Sequence, residues 1–206
     1  MRAWIQGVGV GVGFLIMSAC TPSDVGKTIV FELDEAEPRG TLNPDTCALG
    51  VGLDVSLGFT GSISYEVAVD GSGARVGSCT LDDNGEITGC GIFQPEVLLE
   101  LAEGNMVGES IVPLSIPDSD CTNVDLATEW TLTPDGDRLR TQIHSVYHLP
   151  QTEACENFET LVIQQTSSGL GIEGCELDFD FMGTRTARCS YSSQGQLLCD
   201  PVKPGG

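Results

Sequence analysis

The chain has 206 residues, with 30 acids against nine Lys and Arg and a formal net charge of −21. A field of that sign repels phosphate backbones, which excludes nucleic acid as a partner. An apolar content of 40% excludes a disordered acidic tail.

Residues 1–19 hold one basic residue, Arg2, then an apolar stretch closing on small residues before Cys20. That order is a secretory signal, and its apolar core of about fifteen residues falls short of the ~20 that span a bilayer. Met17-Ser18-Ala19-Cys20 resembles the lipobox of bacterial lipoproteins, although Met17 stands where that motif usually has Leu, Val or Ile. The resemblance implies cleavage before Cys20, lipid on its thiol and a membrane anchor, with no activity attached. Thr21, in place of an acid after the lipid cysteine, implies the outer membrane by the same resemblance. Such a cut removes nineteen residues and the charge of Arg2, leaving 187 residues and a net charge of −22. Residues 20–27 are then a tether, and the folded domain is expected over 28–203.

Beyond the tether the dominant period is two. Thr28–Leu33 follows it loosely; Val51, Leu53, Val55, Leu57 and Phe59 alternate with small or polar residues, and Ile63, Tyr65, Val67 and Val69 resume the pattern. Alternation puts each set on one face of a half-buried strand, so 51–59 and 63–69 are expected as a hairpin. Pro95–Glu103 reads as a short helix, with Pro at its start, Val97, Leu98 and Leu101 inward and Gly104 as its stop. Trp130 to Tyr147 reads as strand, turn at Pro134-Asp135-Gly136-Asp137, and strand. Leu177, Phe179 and Phe181 alternate against Glu176, Asp178 and Asp180. These elements predict an all-β, antiparallel sandwich or barrel with one short helix near 95–103.

Eight cysteines follow Cys20, an even number that suits a disulfide framework in an exported chain. A turn centred on Asn84-Gly85 places Cys79 opposite Cys90, and a three-residue loop Ser193-Gln194-Gly195 places Cys189 opposite Cys199. Directly opposed strand residues lie within disulfide reach, so Cys79–Cys90 and Cys189–Cys199 are the expected bridges. Cys47, Cys121, Cys155 and Cys175 allow three pairings, which stay open. The two cysteine-bracketed hairpins resemble each other, so two similar β units, 28–115 and 120–203, stand beside one domain as a reading of the chain.

Motifs for chemistry are thin. The cysteines lack the close Cys-x-x-Cys spacing of zinc sites, and His144 and His148 lack the Glu of a metalloprotease pair. Gly169-x-Gly171-x-x-Gly174 matches a dinucleotide fingerprint in letters but leads into a strand, not a helix. Asp82–Glu86 and Asp135–Asp137 read as turns before calcium loops, and Trp130 as core. No cofactor or metal is expected. The expectation is a lipid-anchored envelope module that binds or supports, leaning away from catalysis, with a cationic or protein partner suited to the acidic surface. A ligand-holding β-barrel and a carboxylate-dependent hydrolase are the rivals; the hydrolase asks for two acids with raised pKa values in one cleft.

Overall fold

The computed structural model describes residues 24–35, 37–48, 61–82, 84, 86–116, 119–166 and 168–202. Cys20 and the predicted strand 51–59 lie outside them. The elements are β1 (Thr28–Leu33), β2 (Thr41–Leu42), β3 (Ser62–Val67), β4 (Gly73–Leu81), β5 (Ile87–Ile92), β6 (Leu98–Ala102), β7 (Asn105–Ser115), β8 (Thr122–Asp135), β9 (Arg138–His148), α1 (Glu153–Gln165), β10 (Glu176–Tyr191) and β11 (Leu197–Pro201).

Eight strands pair antiparallel in the order β1-β3-β4-β6-β7-β8-β9-β10, and β10 returns to β1 through Thr28↔Cys189 to Leu33↔Gly183. Each strand therefore neighbours the next barrel strand in sequence, and closure leaves the barrel without an edge. Strands from residues 28–115 and from 122–191 share this one barrel. β5 and β11 hang outside it as the second arms of hairpins on β4 and β10, and β2 adds two residues beside β10.

Alternation fills the inside. Ile29, Phe31, Ile63, Tyr65, Met106, Trp130, Leu132, Ile143, Phe179 and Phe181 belong to one buried cluster, with Phe31 stacked on Tyr65 at 5.7 Å between ring centroids. The outward positions of the same strands carry Glu66, Arg75, Glu109, Glu129, Arg140, Asp178 and Asp180. This is the inverse of a membrane-spanning barrel, whose outer band is apolar and whose lumen is polar.

At one end α1 and its flanking loops cover a second cluster that includes Leu126, Tyr147, Val162 and Ile172. Thr152 caps the helix by accepting from Cys155 N, and Glu153 and Glu156 sit in its first turn, where the helix dipole favours them. Two disulfides pin this end: Cys121–Cys155 ties the helix to the residue before β8, and Cys47–Cys175 ties the segment after β2 to the start of β10. At the other end Asp24, 4% exposed, lies against Arg188 at 2.7 Å and Arg185 at 3.6 Å.

The expected helix over 95–103 is a strand. Leu98–Ala102 fills the wall between β4 and β7, and Glu103-Gly104 is a two-residue hairpin turn with φ of +52° and +88°. Positive φ at both central residues is what the tight hairpin demands, so the glycine read as a helix stop is a turn glycine. Leu98 and Leu101, expected inward, are 59% and 44% exposed, while Leu99 is buried at 2%. Helix propensity yields here because without β6 the barrel would have two open edges. The helix lies instead at α1.

Candidate functional site

The predicted hairpin bridges form across the expected register. Cys79 pairs with Cys90 and Cys189 with Cys199 both as strand partners and as disulfides, with Cα atoms 4.0 Å apart in each. The two hairpins then meet: Cys79, Cys189, Val30 and Ala187 share one buried cluster against Ile87 and Leu197, and the Tyr191 hydroxyl donates to Cys90 O. Cys47–Cys175 and Cys121–Cys155 complete the set, so the eight cysteines after Cys20 are all used.

The acids and histidines singled out in the sequence stand on the outer face, each with its own partner. Asp178 is directly opposite His144, whose Nδ1 lies 2.8 Å from its carboxylate. Asp180 is chelated by the Arg140 guanidinium, and that contact holds its carboxyl below the usual range. His148 Nδ1 is 3.3 Å from Glu173, and Glu176 accepts from the Asn43 amide. Asp70 is likewise held low, by hydrogen bonds from Ser72. Both shifts run opposite to the raised pKa that an acid catalyst needs.

The glycine-rich loop 169–174 binds an anion of the chain's own. Backbone N–H groups of Ile172 and Glu173 donate to the Glu159 carboxylate, and a Cβ on Gly171 would stand 1.7 Å from its Oε1. Asp82 Oδ1 accepts from Asn84 N and Glu86 N, the geometry of a turn rather than an ion loop. Among the described residues no group of three or more His, Cys, Asp or Glu is placed to hold a metal ion.

Inside the barrel the inward row Ser110, Thr128, Ser145 carries small hydroxyl side chains between the two apolar clusters. Trp130 is core, as expected, and its Nε1 donates to Ser110 Oγ at 3.0 Å; Thr128 and Ser145 hydroxyls lie 3.2 Å apart. Tyr147, 1% exposed, leaves its hydroxyl without a hydrogen bond, and burial pushes its pKa up to about 12.

The open volumes formed by described residues include several on the outer face. One is a shallow groove of about 540 Å³ over β6, β7 and β8, lined by Leu98, Glu100, Val107, Glu109, Glu129 and Thr131. A second of about 300 Å³ continues it past Ile111 to His144 and His148. Two features here escaped the sequence. Asp24 with Arg185 and Arg188 joins positions far apart in the chain, and only barrel closure brings them together. The facing pair Glu109↔Glu129 joins β8 to β7, whose alternation is blurred by Gly108 and Ser110 inward and Ile111 and Pro113 outward.

No protein-family model matches the chain, and no curated protein matches it either.

Proposed function

We propose that the protein is an exported binding module, anchored to the outer membrane by lipid on Cys20, which meets its partner on the outside of the barrel. The observation that carries this is where the grooves lie: those lined by described residues open on the outer face, while bulky apolar side chains fill much of the interior and α1 and the Asp24–Arg188 contact stand at its two ends. The grooves combine acids with apolar side chains. Four disulfides support an oxidising compartment. They use every cysteine after Cys20, which leaves that thiol for acylation. Intact mass of the protein taken from its own membrane tests the anchor. Acyl mass on a chain beginning at Cys20 supports it, and an unmodified Cys20 rejects it.

A second reading, a small ligand inside the barrel, draws on the row of small hydroxyls and the unpartnered Tyr147. It predicts a native mass above the denatured one; equal masses reject it.

A further inference from the structure

We infer that the groove over β6, β7 and β8 docks an extended, lysine- or arginine-rich segment of a partner protein. The inference rests on the binding-module reading and names the partner of its groove.

The charge pattern is the first ground. In one outward row Leu98 faces Glu109, Glu109 faces Glu129, and Glu129 faces His144. Glu100 lies one pleat further along β6. Like charges directly opposed on neighbouring strands destabilise a sheet unless a cation lies between them. Among the described residues none is supplied. Arg75 bridges Glu66 and Glu96, Arg140 holds Asp180, and His144 turns its Nδ1 to Asp178. Among the described residues Glu100, Glu109 and Glu129 make no ion pair.

Shape is the second ground. Exposed apolar side chains surround the carboxylates: Leu98, 59% exposed, faces Glu109, and Val107 and Ile111, the latter also 59% exposed, stand on either side of Glu109 along β7. Glu109 and Glu129 are direct strand partners about 5 Å apart, and Glu100 stands diagonally ~7–8 Å from Glu109, close to the ~6.8 Å between alternate side chains of an extended peptide. A segment with cations at alternate positions sets one between Glu109 and Glu129 and the next at Glu100, with its aliphatic stems lying over Leu98, Val107 and Ile111. The acids are spread along the groove and do not converge as a metal centre would require. A field of −21 over the whole chain adds steering toward a cationic partner.

The test uses the full processed chain in detergent, titrated with a short peptide of alternating lysine and leucine and followed by amide NMR and calorimetry. One-site binding that shifts Leu98, Val107, Glu109 and Glu129 is expected, with Glu109→Gln/Glu129→Gln about tenfold weaker. The paired control Glu153→Gln/Glu156→Gln on α1 should bind as the parent does. Glu109→Lys should lose the lysine peptide and gain one of alternating glutamate and leucine. Equal binding by the groove variant and the control, or shifts scattered over the barrel, would overturn the inference. So would calcium alone reproducing the shifts, since that marks an ion site. Binding by a chain whose Cys20 proves unacylated leaves the groove standing and removes only the anchor.

Discussion

Cys47 and Cys175 are joined across a sequence separation of 128, with their Cα atoms 4.5 Å apart. The bridge fastens the segment after β2 to the residue before β10, the strand that closes the barrel. By the loop-entropy model a ring of that size contributes about 5 kcal/mol, against about 3 kcal/mol for the short hairpin rings. Urea unfolding should therefore show the larger loss for Cys47→Ser/Cys175→Ser and the smaller for Cys79→Ser/Cys90→Ser. The reverse order would mean that the hairpin bridges, and not the long ring, hold the barrel closed.

Asp24 is the one carboxylate among the described residues that is buried, and two arginines lean on it. Asp24→Asn leaves both guanidinium groups short of a counter-charge at the barrel end. The expected cost is about 2 kcal/mol, below the range for a fully buried pair because both arginines keep some water contact. Denaturant midpoint at constant slope measures it. An unchanged midpoint would show that solvent already satisfies Arg185 and Arg188.

Gly108 faces inward on β7, where a Cβ would stand 2.1 Å from Leu98 O and 2.9 Å from a Leu99 methyl. The first neighbour is backbone and cannot step aside. Gly108→Ala should push β6 off β7 and cost about 2 kcal/mol, read as a lowered Tm together with faster amide exchange at Leu98 and Glu100. Loss of Tm without faster exchange on β6 would place the strain elsewhere.

Tyr147 titrates near 12 in the folded chain against about 10 unfolded. A folded pKa raised above the unfolded one gives stability that is complete below pH 10 and is lost as pH climbs from 10 to 12. Over that window the loss approaches about 2–3 kcal/mol. Tyr147→Phe should flatten the decline and should cost little at neutral pH, because the hydroxyl it removes is buried without a partner. A large neutral-pH loss would reveal a hydrogen bond to water or ligand inside the barrel.

Asp180 shifts the other way. Arg140 holds its pKa below the ordinary value, so its stabilising share is present above the unfolded pKa and fades as pH falls through the folded one. The pair is solvent-exposed, so the effect on acid unfolding should be small. Arg140→Gln should raise the pKa of Asp180 toward the ordinary carboxylate value in an NMR titration, and an unmoved value would assign the shift to something other than Arg140.

Local pattern carried much of this fold. Strict alternation marked β3, β9 and the first part of β10, and the turn residues at 84–85 and 193–195 carried enough register to place Cys79 opposite Cys90 and Cys189 opposite Cys199. Both are short-range relations, set by how two strands leave one turn. β6 was misread because Val97, Leu98 and Leu101 suit a helix face when no neighbour is known. α1 was missed although Thr152, Glu153 and Glu156 mark its start and Cys155, Phe158 and Val162 its inner face.

What the sequence determined by itself was what lies within reach of a turn or a repeat: the β class, the hairpin disulfides, the acidic surface and the even set of cysteines after Cys20. Tertiary structure alone decided which strands close on each other, how Cys47, Cys121, Cys155 and Cys175 divide, and which acids stand without a cation. Those depend on pairing beyond a single turn, with partners from 20 residues away for Glu109 and Glu129 to 128 for Cys47 and Cys175. Glu109 and Glu129 show the difference. Each is an ordinary surface glutamate in the sequence, and only the register between β7 and β8 sets them face to face.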